Sequence, residues 1–216
     1  MTPVKVAARR RRAPRGEGDK LHDEILAATE RLLISEGDVD EVSIRRIADA
    51  VGVTPPSIYL HFADKEALVN AVCERHFREL DRVSAHATKG IQDPLKAVRA
   101  MGRAYVRFGL ERPEEYRILF MSKEIDPTPD AYLERLKGLS GFNHLVGAVE
   151  RCMDAGAFAR GDAFTVACTL WAAVHGIASL LIAKPNFPWP PRFVETGIES
   201  LCRGFAPPTP ATVEAR

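Results

Sequence analysis

The chain has 216 residues, 46% hydrophobic and 27% charged, which suits one medium domain or a small domain joined to a larger one. A formal net charge of +1 excludes a uniformly basic or acidic protein, yet Lys5, Arg9, Arg10, Arg11, Arg12 and Arg15 face only Glu17 in the first eighteen residues. That basic start runs into no apolar stretch, which argues against a signal peptide, and four widely spaced cysteines (Cys73, Cys152, Cys168, Cys202) fit no disulfide scaffold, so the expected compartment is the reducing cytoplasm.

Residues 1–18 lack periodicity and read as a disordered basic arm. From Asp19 to Glu36, Leu21, Ile25, Ala28, Leu32 and Leu33 recur at helical spacing until Gly37. Ser43 is placed to cap a second, short helix whose inner face is Ile44, Ile47, Ala48 and Val51, ended by Gly52. In VTPPSIYLHF, Thr54 is the expected N-cap of a third helix. Pro55 and Pro56 then occupy its first two positions, where the amides have no intrahelical partner. Ile58 and Phe62, four apart, anchor this helix inward and leave Ser57, Tyr59, Leu60 and His61 facing elsewhere.

Asp64 caps a long fourth helix to about Thr88, on which Leu68, Val69, Val72, His76, Leu80 and Val83 keep the helical step. Asp93-Pro94 and Thr128-Pro129 each start a further helix, and Pro113 opens a short one through Met121. Helices follow over about 130–155 and 162–183; Gly138 and Gly141 in the first of these suggest close approach or a kink. KPNFPWPPR is a loop, and a last helix over about 191–205 carries Val194, Ile198, Leu201 and Phe205 on one stripe before a disordered tail at 207–216. No strand-like alternation occurs, so the class is all-α with about nine helices. Ala163 to Ala183 carries no charge and is long enough to cross a bilayer. Thr165, Thr169, His175 and Ser179, and the lack of a second such segment, favour instead a helix buried on both faces, with no membrane partner.

A short helix ended by glycine, a tight turn and a second short helix form a helix-turn-helix, whose second helix enters the DNA major groove; on spacing alone, an ordinary helical hairpin is the alternative. SIRRIADAVGVTPPSIYLHFADKEAL resembles the N-terminal domain of the TetR family of transcriptional regulators, with Gly52, Val53, Thr54, Ile58, Tyr59, His61, Phe62, Lys65, Glu66 and Leu68 matching its pattern. The resemblance covers about residues 20–70. Beyond residue 90 it rests on helix number and length, and WAAVHG (Trp171, His175, Gly176) is similar to a WHG-type C-terminal subgroup. It implies a helix-turn-helix domain at 19–65 and a ligand-binding and dimerisation domain at 66–206. The implied function is a regulator, read as a repressor, that binds a palindromic double-stranded operator as a homodimer and is released by a small, largely apolar effector. The alternative is an activator, or a dimeric small-molecule-binding protein with weak or no autonomous DNA binding.

By the same resemblance Thr54, Tyr59, His61 and Lys65 hold phosphates, and Arg45 reaches a base, where a bidentate contact to guanine is worth about 1–3 kcal/mol. Pro55, Pro56, Ser57 and Leu60 face the groove, with Ser43 and Arg46 beside them. Many relatives carry longer polar side chains where this chain has two prolines, so specificity is expected from Arg45, Ser57, methyl contacts and DNA shape. Two alternatives stay open: Tyr59 packed against the fourth helix, and Arg46 as a solvated charge. Arg9, Arg10, Arg11 and Arg12 follow phosphates or enter a flanking minor groove, or form a tail without defined contact.

For the effector, Tyr105, Phe108, Tyr116, Phe120, Met121, Phe142, Leu145, Val149 and Trp171 are the candidate lining and His175 a polar handle, with plain core as the alternative for each. The dimer interface is expected from the helices at 162–183 and 191–205, through Ala167, Ala172, Ala178, Ser179, Val194, Ile198, Leu201 and Phe205. No Ser-His-Asp order, Gly-rich phosphate loop or HExxH occurs, so no enzyme and no cofactor are expected. Cys168, His175 and His144 lack the CxxC or carboxylate partner of a metal site.

Overall fold

A computed structural model describes residues 18–120 and 140–208, and every regular element among them is a helix. In chain order these are α1 (Gly18–Glu36), α2 (Ile44–Val51), α3 (Pro55–Tyr59), α4 (Lys65–Thr88), α5 (Pro94–Glu111), α6 (Pro113–Phe120), α7 (Ser140–Asp154), α8 (Ala163–Ala183) and α9 (Phe193–Gly204). The all-α class and the nine helices hold for the described residues. The arm with Arg9 to Arg12, Met121, Thr128-Pro129, Gly138 and the tail from residue 209 lie outside them, as do residues 130–139 of the expected seventh helix.

The chain divides into two compact units, Met1–Phe77 with Glu114–Pro129, and Arg78–Pro113 with Asp130–Arg216. In the first, Ile25, Leu26, Leu32 and Leu33 of α1 meet Ile47 and Ala48 of α2, Ile58 of α3, Leu68, Val69 and Val72 of α4 and Ile118 of α6 in one core. This unit reaches beyond residues 19–65, because the start of α4 and Ile118 and Leu119 of α6 supply parts of the same core. The buried hydroxyl of Thr29 is satisfied by the Ile25 carbonyl at 2.8 Å, so burying it inside α1 leaves it with a partner.

In the second unit α5 is the central helix and packs against α7, α8 and α9. Asp93 caps it as expected, its Oδ1 accepting from the amides of Leu95 and Lys96 at 2.9 and 3.1 Å. Asp162 does the same for α8, through the amides of Phe164 and Thr165. Small residues allow the helices to come close: a Cβ at Gly102 would lie 3.3 Å from Ile198, and one at Gly197 only 2.8 Å from Ile177. The close approach expected at Gly141 is present, since a Cβ there would collide with Asp81 Oδ1. The last helix begins at Phe193, two residues later than expected. Arg192 takes a left-handed φ of 64° and a turn from Pro190 precedes it.

Candidate nucleic-acid interface

Caps fix the geometry of α2 and α3. Ser43 is extended ahead of α2, and its Oγ accepts from the Arg46 amide at 3.3 Å. At the other end Gly52 adopts φ 80°, a left-handed conformation that costs other residues about 1–2 kcal/mol. The amides of Gly52 and Val53 both donate to the Ala48 carbonyl at 2.9 Å, which turns the chain sharply out of α2.

Pro55 and Pro56 take the first two positions of α3, as the sequence indicated. Thr54 occupies the cap position, but its hydroxyl caps nothing; it lies 3.0 Å from Ser57 Oγ. The reason for this correction is the prolines themselves. They have no amide to offer, and the next amide, of Ser57, is taken by the Thr54 carbonyl at 2.8 Å.

Inward, Ile58 is fully buried and Phe62 nearly so. Outward, Tyr59 is 53% and Leu60 85% exposed. Pro56 is exposed, with Pro55, Ser57 and His61 half-buried beside it. Arg45 on α2 is exposed and makes no hydrogen bond or ion pair with a described residue. His22 of α1 stacks on Phe62 at 4.7 Å and meets the His61 ring edge-on at 6.1 Å.

Two expected contacts are engaged within the chain. Arg46 bonds the Glu36 carboxylate at 2.5 Å and donates to the Glu41 carbonyl at 3.1 Å, so it is a tie between α1 and α2 and not a free solvated charge. Its hydrogen bond with Glu36 holds the Arg46 pKa above its ordinary value and the Glu36 carboxyl below its own. Lys65 Nζ donates to the Val39 carbonyl at 2.8 Å from a half-buried position, closing the segment between α1 and α2. Neither partner follows from spacing, because long side chains choose among groups that only the fold brings near.

The second unit holds a polar chain. Trp171 Nε1 donates to Tyr105 Oη at 3.3 Å, Tyr105 Oη lies 3.1 Å from His175 Nδ1, and His175 Nε2 lies 3.4 Å from Ser179 Oγ. Since an indole only donates, the consistent arrangement has Tyr105 donating to Nδ1 and the His175 Nε2–H facing Ser179. Burial pushes the His175 pKa down, which favours the neutral ring this arrangement needs.

The candidate effector residues divide between the two units. Tyr116 and Phe120 belong to the first, where Phe120 meets Tyr116 at 5.0 Å and Phe77 at 5.6 Å. Tyr116 and Val149 are fully buried and Phe108 is 2% exposed, so in the free chain they are packed core. Phe142, Leu145, Trp171 and His175 remain half-buried in the second unit, with Phe142 edge-on to Trp171 and Phe164.

Three of the candidate dimer residues need correction. Ala167 and Ala178 are fully buried and Ile198 is 3% exposed, so they face the chain's own core and are closed to a second chain. Ser179 is engaged with His175, and Phe205 meets Phe158 at 5.8 Å. Val194, Leu201 and Phe205 are half-buried, and Ala172 is exposed. Only 28% of the most apolar stretch of α8 is buried inside the single chain. Its open side is the stripe Thr165, Thr169, Ala172, Gly176, Leu180 and Ala183.

An all-α fold with a capped helix-turn-helix, its second helix exposing a proline and a tyrosine, with an exposed leucine just after it and an exposed arginine on the first helix, is built as a DNA-binding protein. The bacterial regulatory proteins of the tetR family match it over residues 25–72, and the tetracyclin repressor-like C-terminal domain over residues 98–205. The chain therefore belongs to the TetR family of transcriptional regulators, a family of DNA-binding proteins without enzymatic activity. The HTH-type transcriptional activator FasR of Mycolicibacterium smegmatis is 29% identical over 110 residues, 51% of this chain and 50% of FasR. The HTH-type transcriptional regulator EthR of the same organism is 30% identical over 92 residues, 42% of each chain. These matches thus span half or less of each relative's length. A TetR family transcription regulator from Marinobacter aquaeolei VT8 shares the fold at TM-score 0.70 and 20% identity, over 90% of this chain and 100% of that one.

Proposed function

We propose that this regulator binds a palindromic operator as a homodimer in the cytoplasm, represses transcription there, and is released by a small, largely apolar effector held in the second unit. The observation that carries the DNA reading is the exposed set Arg45, Pro56, Tyr59 and Leu60 on and just after α2 and α3. Tyr59 and His61 supply hydrogen bonds to phosphates, Arg45 supplies a base contact, and Leu60 and the prolines supply apolar contact to thymine methyl groups.

The open stripe of α8 supports the dimer, because exposed positions along an uncharged, apolar helix call for a covering surface, and a second copy offers the same stripe in isologous contact. The chain Trp171–Tyr105–His175–Ser179 supports an effector with one polar end, met by neutral hydrogen-bonding groups, and an apolar remainder beside Phe142 and Leu145. Effector release requires the ligand to favour the dimer state that does not bind DNA.

The test is a gel shift of the full chain on DNA from upstream of its own gene. Wild type should retard it, and Arg45→Ala with Tyr59→Ala should weaken retention at least tenfold, an effect of about 1.4 kcal/mol. Equal retention by wild type and double variant would remove α2–α3 as the reading surface. Activation is the second reading, favoured by the resemblance to an activator. A promoter reporter separates the two, since repression predicts higher output when the gene for the chain is deleted.

A further inference from the structure

Outside the DNA surface, the first unit contains a cluster that its proposed contacts do not use. His76 of α4 has a side chain 6% exposed, with Glu30 Oε1 of α1 at 3.2 Å from Nε2 and Glu115 Oε2 of α6 at 3.3 Å from Nδ1. Arg75, its neighbour on α4, is bonded to Glu30. Glu79, one turn further along α4, is held by Arg82 and Arg112.

A carboxylate stands within ion-pair distance of each ring nitrogen, with the approach of Glu30 to Nε2 not aligned as a hydrogen bond, and two flanking negative charges favour one form of imidazole. The charged ring offers two N–H donors; the neutral ring would turn a lone pair toward a carboxylate. A metal ion is the competing occupant, as ligand atoms of Glu30, His76 and Glu115 lie within 4.8 Å of one another. One ion, however, takes one ring nitrogen, and the two carboxylates flank different nitrogens.

We propose that His76 is a proton-operated clamp: its imidazolium, held between Glu30 and Glu115, locks α1, α4 and α6 of the DNA-binding unit together, and loss of the proton loosens that unit and lowers operator affinity. The part concerning affinity rests on the operator-binding function proposed above; the clamp itself does not. The folded chain holds this proton more tightly than the unfolded chain. The added stability is therefore full below the ordinary histidine value of about 6.5 and is lost as pH rises past it. His175 works in the opposite direction, because its burial disfavours the proton, so total stability blurs the two and a His76 variant is needed to separate them.

Ring-nitrogen NMR of the full chain tests the clamp directly. At about pH 7, where an ordinary histidine is mostly neutral, His76 should carry protons on both nitrogens, and Glu115→Gln should move its titration to lower pH. A neutral His76 ring at that pH would overturn the proposal, as would a rise in melting temperature on adding zinc that a chelator and His76→Gln both abolish. For the regulatory consequence, affinity for a duplex that wild type retards is compared between about pH 6 and pH 8.5. The fall should be about fivefold or more greater in wild type than in His76→Gln, the lower end of ordinary coupling between sites. An equal fall in both would overturn the link to affinity. Failure of wild type to retard any duplex would strike the operator-binding function, while the NMR titration would still decide the clamp.

Discussion

Ile58 and Leu60 lie two positions apart and meet opposite surroundings, the first fully buried and the second 85% exposed. Ile58→Ala should therefore cost about 2–5 kcal/mol in urea unfolding through the cavity it leaves. Leu60→Ala should leave the unfolding midpoint unchanged and weaken DNA retention; a midpoint shift as large as that of Ile58→Ala would show Leu60 to be structural. Such local roles were readable in the sequence. The caps at Ser43 and Asp93 and the stop at Gly52 depend on neighbours a few residues away. Thr54 failed as a side-chain cap because Pro56 has no amide and the Ser57 amide bonds the Thr54 carbonyl. Arg46, Lys65 and His76 were opaque for another reason: their partners Glu36, Val39, Glu30 and Glu115 arrive through tertiary packing, from 10 to 46 residues away.

At the scale of the element, α8 shows what composition can and cannot reveal. Its lack of charge marked it as a helix to be covered, but a helix apolar all round carries no polar face to show which side meets which neighbour. Small residues were legible, their phase was not: Ala167 and Ala178 turned inward, while Ala172 and Gly176 lie on the open stripe. A charge on that stripe, as in Ala172→Glu, should split the proposed dimer in sedimentation equilibrium while leaving the helical circular dichroism unchanged. Loss of dimer should also weaken operator binding, because two half-sites are then held by separate molecules. A dimer of unchanged strength in Ala172→Glu would place the interface elsewhere. The aromatic set proved similarly divided. Spacing gave aromatic faces on successive helices, but could not tell that Tyr116 falls in the first unit and Trp171 in the second.

For the whole molecule, the two compact units have separate cores, and α4 is the helix whose residues pass from one into the other at Phe77 and Arg78. The helix-turn-helix and the all-α class were legible in the sequence because they rest on periodicity, glycine stops and a specific string of matching residues. The extent of the first unit was less so, since α6 joins its core from far along the chain through Ile118. The central claim is that α2 and α3 read DNA and that two copies do so together. Selection of bound duplexes from a random double-stranded library by the full chain tests it most directly, with Arg45→Ala selected in parallel. Wild type should enrich a palindrome whose half-sites are centred about one helical turn, or a multiple of it, apart, with a guanine in each half that Arg45→Ala no longer prefers. Enrichment of no sequence by wild type, or of the same guanine-containing site by both proteins, would contradict the account.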